Sequence, residues 1–354
     1  MTRPGRLFAA AFLLLLLAPA QAQIGGSTVF RVLDIPSSAR VSALGGSPVP
    51  VYDNDLNLGL FNPALLNASM SKQVSVSWLP YIDGINVGYA AYGHHLDSAR
   101  ITLSGSAQYV DYGSFTRRDG TGMEEGSFSA GEYVVQVGAG RALDSVFSVG
   151  VNLKFITSHI ESYNATGWAA DIGGVFVKKA LGLTVGATLR NIGMVASSYT
   201  GTKEMLPFQA QVAATYKFRH APFRLGLSVD NVQQWDLTYE DPNKPVQLDP
   251  VTGEAIEEKV TMADKALLHL VPNAEILLSP NFMLRFGYDM QRRRELAVDV
   301  KPGLAGLSLG IGLRISRIHL SYSYAQFNPA GASNTFTLAM RFSELKRSPA
   351  QGRD

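Results

Sequence analysis

Apolar and small polar residues alternate through about fourteen short segments of this chain, and the connections between the segments alternate between short and long. Strand side chains have a period of two, so each segment presents one apolar and one polar face. Ile101, Leu103, Ala107 and Tyr109 share one face, with Thr102, Ser104, Ser106 and Gln108 on the other. The pattern recurs at Phe147/Val149/Val151/Leu153/Phe155, Leu183/Val185/Leu189, Phe223/Leu225/Leu227/Val229 and Leu307/Leu309/Ile311/Leu313/Ile315. None of these apolar faces carries a charge. That suits contact with lipid, where an Arg or Lys at mid-bilayer costs roughly 2 to 4 kcal/mol.

A soluble β-sandwich also alternates, and the composition of the polar face separates the two. Here that face is mostly Gly, Ser, Thr, Asn and Gln, and charged residues make up 17% of the chain, against about 25% in soluble domains. The connections give an independent check, because a barrel with both termini in the periplasm has its longer loops at the odd-numbered hairpins. The even hairpins are short: 93–98, 142–145, 178–181, 219–222, 279–281 and 316–317. Most odd ones are longer, at 112–128, 191–206, 236–265, 291–303 and 327–334, the first at 80–84 being the exception. The expected fold class is all-β, a transmembrane antiparallel β-barrel of about 14 strands.

The termini agree. Arg3 and Arg6, the apolar run 7–17 and the small-residue site Ala20-Gln21-Ala22 form a cleavable Sec signal over 1–22. The run is too short to span as a helix. With no cysteine there is no lipid attachment site, disulfide or thiolate chemistry. Loss of Arg3 and Arg6 leaves 29 basic residues against 29 acidic ones, so a neutral mature chain gives no electrostatic case for nucleic acid. At the other end Phe336, Leu338, Met340 and Phe342 alternate with Thr335, Thr337, Ala339 and Arg341 before a polar tail over 343–354. The expected location is the outer membrane of a Gram-negative cell.

Residues 23–71 do not read as membrane strand, and 72–342 do. The first stretch contains Gly45-Gly46, Asp53-Asn54-Asp55 and Asn62-Pro63-Ala64. A barrel this wide has room for a channel unless something fills it, so the segment is expected to be a plug in the lumen. Asp171, Arg190, Arg224, Asp230, Arg285 and Arg314 fall on the lumen side and are expected to bond it.

An N-terminal hatch with Asn62-Pro63-Ala64 followed by about fourteen strands resembles the FadL-type outer-membrane transporter superfamily. Finer blocks resemble its PorV/PorQ branch, which serves type IX secretion. These are Phe30-Arg31-Val32-Leu33, Ser37 to Gly46, Asn62 to Leu66, Ala221-Pro222-Phe223-Arg224 and Trp235-Asp236-Leu237-Thr238-Tyr239-Glu240-Asp241-Pro242. The resemblance runs over about 25–342. It implies an outer-membrane accessory that anchors a surface complex of a PorZ-like protein, a PorU-like sortase and a PorV-like barrel, which processes and attaches cargo. It also implies that outward loops grip the PorZ-like partner. Among them the long, charged loop 236–265 is the leading candidate, with Trp235, Asp236, Tyr239, Glu240 and Asp241 as contacts. The alternative is passive transport of hydrophobic molecules, which needs an apolar pocket in the lumen, whereas the strands offer mostly polar lumen faces.

Enzyme motifs do not assemble. Ser69-Met70-Ser71-Lys72 matches a Ser-x-x-Lys pattern but leads into a strand, and Ser162-Tyr163-Asn164 has no Lys-Thr-Gly to complete a set. Gly306-Leu307-Ser308-Leu309-Gly310 matches a nucleophile elbow yet lies within strand alternation. Asp53, Asp55 and Asn57 have calcium-loop spacing with Ala64 where the closing Glu belongs. His94-His95 is expected on a short periplasmic turn, and no spacing builds a metal site. No enzyme activity and no cofactor are expected. Trp78, Tyr81, Tyr109, Tyr112, Trp168, Tyr216, Phe218, Tyr288, Tyr322 and Tyr324 suit interfacial girdles, or face inward onto the plug.

Overall fold

A computed structural model describes residues 28–47, 49–201, 204–238, 260–296, 304–328 and 331–342. The signal at 1–22, the tail at 343–354 and the loop residues Tyr239, Glu240 and Asp241 lie outside them. Fourteen strands follow an N-terminal segment. They are β1 (Gln73–Ile82), β2 (Ile85–Leu96), β3 (Ile101–Arg118), β4 (Glu124–Ala142), β5 (Phe147–Ile160), β6 (Tyr163–Lys178) and β7 (Leu183–Ser197), then β8 (Gln209–Lys217), β9 (Phe223–Val229), β10 (Leu270–Ser279), β11 (Phe282–Tyr288), β12 (Leu307–Ile315), β13 (Ile318–Asn328) and β14 (Gly331–Arg341). Each pairs antiparallel with its sequence neighbour, and β1 closes on β14 in register from Gln73↔Arg341 to Trp78↔Phe336. Closure leaves no sheet edge in the bilayer, the condition for strands to cross it.

The alternation sets the faces as the sequence reads them. Val76, Leu103, Val137, Leu153, Ile172, Leu189, Leu225 and Leu338 are among the exposed large apolar residues of the wall, whereas Thr102, Ser104, Asn152, Thr188, Ser228, Ser308 and Thr335 are buried on the inner face. No described helix is long and apolar enough to cross a membrane.

Several local expectations need correction. Two outer connections expected as long loops are largely strand: β3 and β4 run 18 and 19 residues to a short turn at 119–123, and β7 continues to Ser197. A membrane crossing uses about 9 to 11 residues, so the β3–β4 hairpin rises beyond the bilayer, where polar residues on both faces hide the alternation. His94 and His95 lie in β2 rather than on a turn, paired with Leu103 and Thr102. Ser69 sits in a 3-10 turn (Ala68–Met70), and β1 begins only after Lys72, whose φ is 57°. Of the aromatics, Trp78, Tyr109, Trp168, Tyr216 and Phe218 are exposed, but Tyr81 and Tyr112 turn inward onto the plug cluster.

The N-terminal segment occupies the lumen. It contains two short helices, α1 (Ala39–Ala43) and α2 (Leu56–Gly59), capped by Ser38 and Asp55, whose side chains accept from Val41 N and Asn57 N. Three-residue 3-10 turns follow at Pro63–Leu65 and Ala68–Met70. Wall and plug touch at backbone level. A Cβ on Gly150 would stand 2.3 Å from the Pro63 carbonyl carbon, and one on Gly140 2.4 Å from its oxygen. On the opposite wall, a Cβ on Gly287 would stand 2.2 Å from Gly45 N. Glycine is required at these positions because the two backbones meet there.

Candidate functional site: the plug–wall contacts and the outer loops

Asn62-Pro63-Ala64 forms the floor of the plug. The Asn62 side chain caps the turn by accepting from Ala64 N at 3.1 Å, and Pro63 occupies the first helical position, where its missing N–H costs nothing. Ala64 is fully buried against the inner faces of β4, β5 and β6.

The plug is fastened to the wall by an ion cluster that the sequence reading saw only in part. Arg40 on α1 makes a fork to Glu275 on β10, Nε to Oε1 and Nη2 to Oε2, both at 2.9 Å. Its Nη1 meets Asp53 at 2.9 Å and Asp55 at 3.2 Å. Arg224 also bonds Glu275, as does Arg285 at 3.1 Å. Three guanidiniums and three carboxylates thus balance in a site where the Glu275 side chain is 2% exposed. Burial alone would lower the Arg40 pKa, but Asp53, Glu275 and Asp55 outweigh it and hold it well above the ordinary arginine value. Such paired geometry offsets the desolvation of each ion. Asp53 and Asp55, spaced like calcium ligands, serve here as plug anions, and no group of His, Asp and Glu able to hold a metal occurs among the described residues.

The other lumen charges are placed as follows. Asp171, fully buried, accepts from Lys154 Nζ at 2.8 Å and from Asn191 N at 2.9 Å. Arg190 donates to Gln209 Oε1 and to the plug carbonyl of Leu33, with its guanidinium 4.6 Å above the Phe61 ring. Asp230, just past β9, accepts from Ser47 Oγ of the plug at 2.9 Å and from Gln211 at 2.8 Å. Arg314 lies on the inner face of β12 at its periplasmic end, half-buried, its main-chain N–H donating to Asn281 O. Glu275 was not singled out by the sequence reading, and Arg40 and Lys154, though placed in the plug and on a polar strand face, were not among the charges expected to bond plug and wall. Glu275 had a signal, since it shares a strand face with Asn273 and alternates with apolar neighbours.

The lumen is less polar than the alternation implies. At its outer end Phe30, Val32 and Leu33 of the plug pack with Leu79, Val87, Val110, Val134 and Ile156, which point inward. Doublets such as Val134-Val135 and Phe155-Ile156 make both strand faces apolar there, which a period-two reading assigns to one face only.

Asp230, just past the end of β9, is a titratable member of the plug–wall interface. Burial pushes its pKa up to about 6, with the Asp289 charge adding to the rise and the Ser47 and Gln211 hydrogen bonds opposing it. A carboxyl with a raised folded pKa contributes most stability below its unfolded value near 3.8 and loses it as pH rises through about 6. Urea titrations of the wild type and Asp230→Asn between pH 4 and 7 are expected to show the wild type losing ground to the variant across that window. A constant difference would contradict the assigned environment.

On the outer side, Trp235 is 54% exposed and its ring stacks on His269 with centroids 5.7 Å apart. Asp236 accepts from Thr238 and pairs with Lys265 of the helix α3 (Met262–Leu268). The Lys265 and Thr238 hydrogen bonds hold the Asp236 carboxyl below the usual range. A second outer helix, α4 (Met290–Leu296), reaches the plug through Arg292, which donates to Gly45 O at 3.1 Å.

These features define a plugged, 14-stranded barrel of the outer-membrane type. Two solved structures share that fold, with the chain covering 86% of its length in each. A TodX deltaS2S3 mutant, described as a monoaromatic hydrocarbon channel, is 13% identical over 99% of its own chain with a TM-score of 0.52, and the TodX deltaS2 mutant is 13% identical over 98% with 0.51. The toluene transporter TodX of Pseudomonas putida is 12% identical, covering 85% of this chain and 96% of its own, with a TM-score of 0.48. The likeness to the two TodX variants is one of fold, a closed barrel of the outer-membrane type. No family model and no curated protein matches the sequence.

Proposed function

We propose that this protein is an outer-membrane accessory of type IX secretion, a barrel that anchors a surface complex. The carrying observation is the filled lumen: the plug meets the wall at backbone distance on opposite sides and is locked by the Arg40–Glu275 cluster. A barrel sealed in this way offers its outer loops rather than a conduit. The finer assignment rests on the sequence resemblance to the PorV/PorQ branch, with a PorZ-like partner on the loop that begins at Trp235 and Asp236. Deletion of the gene, followed by fractionation of a cargo protein with a C-terminal sorting domain, tests it. Unprocessed or detached cargo is expected, with other outer-membrane proteins unaffected. Normally anchored cargo overturns the reading.

A second reading, passive transport of hydrophobic molecules, draws support from two observations. The fold is that of structures described as hydrocarbon channels, and the outer lumen wall is apolar where Phe30, Val32 and Leu33 cover it. Normal cargo handling combined with slowed uptake of a hydrophobic substrate in the deletion strain would favour it.

A further inference from the structure

The short periplasmic turns gather positive charge on one sector of the barrel. Lys178 and Lys179 lie at the β6–β7 turn, Lys217 and Arg219 at the β8–β9 turn, and all four are exposed. The two turns touch: Lys217 N donates to Gly182 O at 2.8 Å, and a Cβ on Gly182 would stand 2.2 Å from Lys217 O. None of the four side chains has an ion pair or hydrogen bond among the described residues.

Neighbouring carboxylates do not balance this charge. Between residues 172 and 229 the sequence has a single acidic residue, Glu204, and it belongs to the outer connection between β7 and β8. On one flank, Asp144 of the β4–β5 turn accepts from Val146 N and Phe147 N at 2.7 Å and is matched by the exposed Arg141. On the other flank, the β10–β11 turn at 280–281 carries no charge. Asp53 and Asp55 of the plug are bonded to Arg40, and the tail 343–354 has three basic side chains against two acidic ones.

The side chains bordering the cations are apolar. Phe147, Phe176, Leu181, Tyr216, Phe218 and Phe223 are 37 to 48% exposed at the same strand ends, with Tyr216 and Phe218 edge to face at 4.9 Å. They continue the lipid-facing band, and rings of this kind sit at headgroup depth. Cations next to them stand at the level of the lipid phosphates.

We propose that this sector binds an anionic phospholipid of the periplasmic leaflet. Lys178, Lys179 and Arg219 hold its phosphate, Lys217 adds charge from the mouth side, and the aromatic band takes the acyl chains. The occupant must carry negative charge and an apolar tail together. An amphiphile of the adjoining leaflet meets both demands, whereas an acidic soluble protein meets only the first. The site is separate from the outer loops and does not depend on what they bind.

The test uses the full-length mature protein in bilayers, with Phe218→Trp as a local reporter and Trp78, Trp168 and Trp235 replaced by Phe. Brominated phosphatidylglycerol is expected to quench the reporter in preference to brominated phosphatidylcholine. Lys179→Gln should reduce that preference about fivefold, the factor for one cation at an anionic surface, and Lys178→Gln/Lys179→Gln/Arg219→Gln should remove it. Lys72→Gln/Arg100→Gln/Arg317→Gln, which takes the same charge from the rest of the rim, should leave it in place. Without the reporter substitutions, native mass spectrometry should find a retained phosphatidylglycerol that the first triple variant lacks. Equal quenching by the two lipids overturns the proposal. Equal loss in both triple variants overturns it too, since the whole rim would then attract anionic lipid diffusely.

Discussion

Glu275→Gln is expected to loosen the plug while the barrel still closes. The substitution keeps the shape of the side chain but leaves Arg40, Arg224 and Arg285 with only Asp53 and Asp55 to answer them. Breaking a buried ion pair by removing one partner typically costs about 3 to 5 kcal/mol, because the remaining charge stays buried. Most of that cost should fall on the plug, since the wall strands remain paired through their own ladders. Protease access to the segment before Gln73, measured in vesicles, should rise sharply, and the urea midpoint should fall. Arg40→Gln on its own should do the same, and the double variant should be less damaged than the sum of the two, because their side chains share one set of bonds. Additive losses would mean that the two residues are not coupled and that the plug is held elsewhere.

The second large effect is steric. Gly150→Val places a Cβ where the Pro63 carbonyl carbon stands, 2.3 Å away, and that atom belongs to a capped turn with no flexible end to yield. Overpacking of this kind costs roughly 1 to 3 kcal/mol when the surroundings can move, and backbone against backbone leaves little room to move. The expected result is a displaced Asn62-Pro63-Ala64 floor, read as a lower melting temperature and new conductance in planar bilayers. Gly105→Ala, with nothing within 4 Å of its added carbon, serves as the control and should leave both unchanged. Equal behaviour of the two variants would contradict the backbone-level contact between plug and wall.

Much of this protein is legible in the sequence because a membrane barrel is written locally. Side-chain alternation, hairpin parity and the lack of charge on the apolar faces together determine a closed barrel of about fourteen strands. Lipid on one side and water or plug on the other leave each strand one way to face. The same period placed Asp171, Arg190, Arg224, Arg285 and Arg314 on the inner face. Where polar residues occupy both faces, as at the tip of the β3–β4 hairpin, or apolar ones do, as at Val134-Val135 and Phe155-Ile156, the period carries no information. Strand ends and the apolar outer lumen were therefore not readable.

Only the tertiary structure decided which charges meet. Arg40 and Glu275 are 235 positions apart, and Ser47 of the plug reaches Asp230 of the wall in the same way. Those pairings depend on how a short helix-and-turn segment seats inside the closed sheet, and no local pattern encodes a contact between elements so distant along the chain.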